Sequence, residues 1–348
     1  DHEVILDVFV NPYALEKLQS IENINAILVS YQNNQISQEV SADILSGFKE
    51  VNGVLPVSIK PYFKAGDGIQ LPAKNLFKKT EPSTVGFDQK KLNRIDSFAQ
   101  NVIDSAMTPG MQIFISRKGK MVYQKSFGYH TYKKKVAVEN HHIYDLASLT
   151  KITATLPLII QAIGDEDFTL DSNLSDLIPE LKNTNKADLT VKAVLSHHAG
   201  LTPWIPFFEK TLDRKKKPKR KYYRNYKKGS YNIEVTDKLF LKKSFKKEMK
   251  KMIIESPLMD SINYKYSDLS FYIFKDYFER INQKSFDTQV SNKIYNPLGL
   301  KRTLYNPRKS IPLDEIVPSE EDIYYRYNTL RGFVHDMGAA MQGGVGGH

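Results

Sequence analysis

The chain has no cysteine in 348 residues, and that absence excludes disulfides, thiolate metal sites and a cysteine nucleophile together. It leaves cytoplasm and periplasm equally open. Long apolar runs are also missing: none reaches the roughly 18 to 20 residues that cross a bilayer, so no transmembrane segment is expected. The opening DHEVILDVFV lacks an initiator methionine and the basic flank of a signal peptide, and Asp1 is not expected to be the native start. Histidines number only eight. His197 and His198 adjoin in LSHHAGL without a carboxylate or further histidine at ligand spacing. That stretch is read as the turn after a helix, with Gly200 as C-cap, and neither a metal nor a cofactor is expected. His335-Asp336 is placed in a loop near a pocket mouth.

Apolar residues make up 41% of the chain and aromatics 11%, enough to fill the cores of two domains. The net charge of +11 is unevenly placed. Lys210 to Lys251 hold eighteen Lys/Arg against four Asp/Glu, a local +14 that leaves about −3 for the remainder. The basicity belongs to one insertion, 210–251, read as a solvated insertion or lid between helices. Contact with an anionic polymer is the lesser reading, and no nucleic acid is expected.

Residues 1–64 alternate strand and helix signals. VILDVFV and NAILVSY are buried-strand runs, Asn11-Pro12 opens a helix through Leu18, ISQEVSADILSGF has helical spacing ending at Gly47, and GVLPVSI is a third strand. This predicts an α/β fragment with a parallel sheet. Residues 65–87 shift to Gly, Pro, Lys, Ser and Thr and read as a linker. Beyond it, Asp88 can cap a helix, and MQIFISRKGKMVYQKSFGY is a hairpin around a Lys-Gly turn. A helix-rich middle then predicts α+β architecture for 88–348.

Ser-x-x-Lys occurs three times, at Ser46/Lys49, Ser148/Lys151 and Ser244/Lys247, so spacing alone selects none. Context separates them. Ser46 ends a helix, Ser244 lies in the basic run, and only Ser148 opens a long apolar helix. At such a first turn the unpaired N–H groups and the dipole favour developing negative charge, and a lysine one turn on shares the serine's face. A lysine so placed can accept the serine proton. Downstream, Tyr266-Ser267-Asp268 precedes another apolar helix, and a tyrosine beside an ammonium can relay a proton.

Two resemblances give these pieces an order. IYDLASLTKITAT, LTVKAVLSHHAGL, YKYSDLSFYIF, NPLGLKRT and the closing GGVGGH together resemble the serine β-lactamase and penicillin-binding protein superfamily, in its class-C-like branch of peptidases and esterases, over Phe87 to His348. The resemblance implies an antiparallel sheet beside a helical region, with Ser148 as nucleophile, Lys151 as its base and Tyr266 as proton relay. Asp268 and His348 would contact substrate, and the Ser148 N–H would help form an oxyanion hole. Asp268 stands where that branch has asparagine; near Lys151 it would pair with the ammonium and weaken the lysine as a base. His348 would be the first residue of the third motif, so the sequence looks truncated at both ends and less active than its complete form.

The second resemblance joins AILVSYQNNQISQEVSADILSGFKEVNGVLPVSI and the following GDGI to the C-terminal α/β domain of glycoside hydrolase family three. That family's catalytic domain would lie upstream. The two together imply a bifunctional β-N-acetylhexosaminidase and serine hydrolase on peptidoglycan fragments, in the periplasm or cell envelope. A non-catalytic cell-wall-binding module is the rival reading.

Overall fold

A computed structural model describes residues 3–73, 77–260 and 263–347. The chain forms two compact units, one of residues through Ser97 with Ile113–Gln124 and one of Phe98–Gln112 with Lys125 onward.

In the first unit β1 (Ile5–Val8) and β2 (Ala26–Val29) pair in parallel, Ile5 opposite Ala26. Val8, Leu15, Ile21 and Ile59 form their small core. Helix α1 (Gln35–Leu45) starts where the Asn34 side chain accepts the Ser37 N–H at 2.9 Å and stops before Gly47, whose φ of +79° suits glycine. The predicted third strand, GVLPVSI, is not one. Pro56 removes a ladder donor, and the segment folds back instead, with Leu55 N–H on Asp67 O and a bridge between Ile59 and Phe63. The helix predicted after Asn11-Pro12 is a short 3₁₀ segment, Pro12–Lys17.

The same unit has a second core, drawn from the first part of a helix and the middle of a hairpin. Helix α2 (Gln89–Asp104) is capped by Asp88, whose carboxylate accepts the Lys90 N–H at 2.8 Å. Leu92 packs with Val122 and Tyr123 of the hairpin β3 (Gly110–Arg117) and β4 (Lys120–Gly128). Lys118 and Gly119 both have positive φ, the turn that hairpin twist favours. Val85, in the stretch predicted as linker, is buried in this core.

The second unit is mostly helical. A helical run, Ala147–Gly164, is long and apolar enough to meet the length test for a membrane span, which the reading of apolar stretches overlooked. Its inner face is nevertheless core: Ala154, Leu158, Ile159 and Ala162 are all buried in the unit's main cluster. Pro157 lacks the N–H that Thr153 would receive, so the run widens to a π turn over Lys151–Thr155 before α3 (Leu156–Gly164). Short helices α4 (Leu174–Leu177) and α5 (Val191–Leu195) follow.

The basic stretch is no simple solvated lid. It contains a three-stranded antiparallel sheet ordered β5 (Tyr223–Arg224), β7 (Leu239–Lys242), β6 (Tyr231–Thr236), then helix α6 (Phe245–Glu255). Tyr222, Tyr223, Val235, Leu241 and Phe245 lie in the main core. Charge counting concealed these apolar residues, which alternate with the cations. Helices α7 (Leu269–Asn282) and α8 (Phe286–Val290), the strand pair β8 (Glu321–Asp322) and β9 (Asn328–Thr329), and α9 (Met337–Met341) complete the unit. Gly338 allows α9 to meet α7, since a Cβ there would lie 1.9 Å from the Tyr272 hydroxyl.

Lys186 is fully buried, and among the described residues no carboxylate pairs with it. Its Nζ donates to Asn185 Oδ1 (2.9 Å), Ile254 O (3.1 Å) and Ser256 O (2.5 Å), so it caps the C-terminal carbonyls of α6, and burial draws its pKa down to about 8. Lys186→Met leaves those acceptors unpaired and is expected to lower unfolding stability by about 2–4 kcal/mol, measured by urea denaturation.

A second buried polar set fixes its own tautomers. Arg331 Nη1 lies 2.9 Å from His130 Nδ1, which must accept; His130 Nε2 then donates to His142 Nδ1 at 2.8 Å. Burial, and then Arg331, lower the His130 pKa to about 4; burial, and then His141, lower that of His142. Glu139, His141 and His142 do cluster as metal-type donors, but His142 Nδ1 already accepts from His130 and from the Glu139 N–H at 3.1 Å. The unfolded His130 imidazole takes a proton below about pH 6.5, so the unfolded chain binds more protons between there and about 4. Stability is full above that window and falls as pH drops through it. With solvent screening, on the order of 1–2 kcal/mol is lost by pH 4.5. His130→Gln should shrink the difference in melting temperature between pH 7.5 and 4.5.

Candidate active site

The helical run from Ala147 brings Ser148 and Lys151 together. Lys151 Nζ lies 2.9 Å from Ser148 Oγ, and Lys151 is only 4% exposed whereas Ser148 faces solvent. Among the described residues neither other Ser-x-x-Lys pair joins its side chains: Ser46 is the C-cap of α1, and Ser244 precedes α6.

Asp268 stands at the N-cap of α7, where an aspartate ordinarily accepts an N–H of the first turn. It makes no such bond. Its Oδ1 is buried 2.7 Å from Lys151 Nζ, a charged contact outside hydrogen-bond alignment. The carboxylate has given up its helix cap to face the ammonium. Such a breach of a local rule marks residues held for another purpose.

Tyr266 joins the group by its ring rather than its hydroxyl. Lys151 Nζ lies 4.9 Å from the Tyr266 ring centre and 5.2 Å from that of Phe271. The Tyr266 hydroxyl makes no hydrogen bond among the described residues and is open to a ligand. Ser148, Lys151, Tyr266, Phe271, His197 and Leu149 line a cavity of about 460 Å³. His348, the other residue expected to contact substrate, lies outside the described residues.

Sequence reasoning missed two members of the site. His197, not Gly200, takes the first left-handed position after α5, with φ +61°. This turns its ring onto Tyr266, 4.6 Å between centres, and its Nδ1 accepts the Ser267 N–H at 3.2 Å. Burial, and then the Lys151 cation, lower its pKa, so it sits as the neutral Nε2–H tautomer. The doubled histidine was the available signal. Asp145 is the other. Its Oδ1 accepts the Ala147 N–H at 3.0 Å and its Oδ2 the His335 N–H at 2.7 Å. It thereby braces Ala147, which precedes Ser148 with a φ of +45° that only a supported non-glycine residue keeps. The His335-Asp336 loop thus has a place: His335 braces Asp145 through its backbone, and Asp336 accepts the Ala339 N–H as cap of α9.

A buried lysine on an exposed serine, beside a cavity, is an arrangement that can activate a serine nucleophile. The chain belongs to the Beta-lactamase family, whose sequence model matches residues 95–321. A Salmonella agona protein named "Putative D-alanyl-D-alanine carboxypeptidase" is 30% identical over 297 aligned positions, covering 77% of this chain and 62% of that one. The chain therefore spans about three fifths of the length of the curated relatives it matches. Among solved structures, a class C beta lactamase from Rhodobacter sphaeroides is 18% identical with a TM-score of 0.42, covering 60% of this chain and 50% of that one. EstCE1, described as a hydrolase with promiscuous acyltransferase activity, is 18% identical with a TM-score of 0.49, covering 68% and 58%.

Proposed function

We propose that the chain carries an acyl-serine hydrolase site in which Ser148 is the nucleophile, and that its substrates are D-alanyl peptides or esters of peptidoglycan type. The observation that carries this reading is the 2.9 Å contact between buried Lys151 Nζ and Ser148 Oγ. Ser148 Oγ attacks the carbonyl carbon as Lys151, in its neutral form, takes the hydroxyl proton. The Ser148 N–H stabilises the resulting oxyanion. The proton taken by Lys151 passes through the Tyr266 hydroxyl to the leaving amine or alcohol, the C–N or C–O bond breaks, and the acyl group stays on Ser148 until water releases it. Asp268 Oδ1 lies 2.7 Å from Lys151 Nζ, so in the resting site the carboxylate competes with Ser148 Oγ for the lysine.

Residues 1–64, with their parallel strand pair, are compatible with the end of a glycoside hydrolase family three α/β domain, 65–87 with the connection and 88–348 with the hydrolase. In that arrangement the parent chain is a bifunctional enzyme of the periplasm or cell envelope, pairing sugar and acyl cleavage on one polymer. The rival reading, a wall-binding module, draws on the Asp268 ion pair. Hydrolysis of a diacetyl-Lys-D-Ala-D-Ala peptide and of a short nitrophenyl ester separates the two. The hydrolase reading expects release of D-alanine or nitrophenol that Ser148→Ala reduces by at least about a hundredfold. Binding of the peptide with no turnover that depends on Ser148 would establish the rival.

A further inference from the structure

We infer that the basic segment Arg214–Lys228 is a docking surface for the face of an anionic phospholipid bilayer. Ten of its fifteen residues are Lys or Arg and none is acidic. The two half-buried cations donate to backbone carbonyls, Lys219 Nζ to Lys210 O at 3.0 Å and Arg224 Nη1 to Tyr223 O at 2.7 Å. The other eight are exposed, and among the described residues none makes an ion pair or donates a side-chain hydrogen bond. The unit has acidic residues to spare for its other cations, as in Lys210 with Glu248 and Lys250 with Glu180. The ridge carries +10 of the chain's net +11 and is left uncompensated, so the attraction is directed to one face.

The ridge is also firmly mounted. Tyr223 is buried and its hydroxyl lies 2.9 Å from Thr211 Oγ1 and 2.8 Å from the buried Tyr325 hydroxyl. Asp213 Oδ1 accepts the Lys215 and Lys217 N–H groups and shapes the turn. Tyr327 Oη donates to Lys216 O at 3.0 Å, while Lys217 Nζ sits 3.5 Å from that ring's centre. A backbone fixed before binding adds no loop-ordering cost when the surface docks.

The aromatics select the occupant. Single-stranded nucleic acid needs free ring faces for base stacking. Here Tyr327 is covered by Lys217, Tyr231 by Arg224, and Tyr222 is buried against Phe245. What remains is a carpet of cations with the exposed, amphipathic Tyr226 and the edge of Tyr327 between them, the composition that suits a plane of phosphates over an interfacial zone.

The test is co-sedimentation of the whole chain with phosphatidylcholine vesicles, with and without about 30% phosphatidylglycerol, at about 0.1 M and about 0.5 M salt. Binding is expected only to the anionic vesicles and only at low salt. The variant K215E/K216E/K227E/K228E should bind at least about tenfold more weakly with an unchanged melting temperature. Should that variant melt early, K215Q/K216Q serves in its place, with a smaller loss expected. Duplex DNA at equal phosphate concentration should fail to displace the protein. Equal binding by both variants and the parent, binding to neutral vesicles, or preferential binding to DNA would each overturn the assignment.

Discussion

Lys151→Met is expected to slow acylation of Ser148 by about a thousandfold. The lysine is the only basic group in contact with the serine among the described residues, and methionine fills its volume without accepting a proton. The substitution also strands Asp268, a carboxylate whose buried oxygen faces the ammonium alone. Breaking a buried pair from one side costs about 3–5 kcal/mol, so low activity in this variant would be confounded by unfolding. The double variant Lys151→Met/Asp268→Asn removes both charges and should regain most of the lost stability. Acylation in it should stay as slow as in Lys151→Met. Urea denaturation and probe-labelling rates, measured on both variants, separate the structural role of the pair from the chemical one. Recovery of labelling with stability would show that Lys151 only holds the fold.

The second large effect runs the other way. Asp268→Asn is expected to raise the acylation rate by about tenfold, although it removes a buried ion pair. With the carboxylate gone, Lys151 Nζ is left to Ser148 Oγ, and the new amide can donate to a substrate carbonyl as a carboxylate cannot. The same variant breaks the pair from one side and should also lose about 3–5 kcal/mol of stability, a trade expected where a site holds groups against their local preference. A non-catalytic module predicts the stability loss with no gain in acylation. Rates of labelling by a fluorophosphonate, compared at equal folded fraction, distinguish the outcomes.

Much of the site could be read in the sequence, because it is built from local pieces. Ser148 and Lys151 are one helical turn apart, and the apolar run behind them fixes which face they share. The hairpin, the Asp88 cap and α1 followed from turn and cap chemistry within a few residues. What could not be read depends on contacts distant in sequence. GVLPVSI has strand composition, yet Pro56 and the fold-back onto Asp67 and Phe63 keep it out of the sheet. The basic stretch read as solvent-facing because its charge masks Tyr223 and Leu241, and the Tyr223 hydroxyl meets that of Tyr325, about a hundred residues away. His197 was taken as part of a turn, which it is. Its second role appears only when the turn meets Tyr266 and Ser267. Asp268 was legible as an oddity of the second motif, but the loss of its helix cap in favour of Lys151 is a property of the folded chain.

The most direct measurement is the intact mass of the protein after reaction with a fluorophosphonate or a penicillin, with the adduct located by peptide mapping. The account predicts one adduct per chain, on Ser148, absent from Ser148→Ala and formed faster in Asp268→Asn. An adduct on another residue, or labelling unaffected by Ser148→Ala, would contradict it.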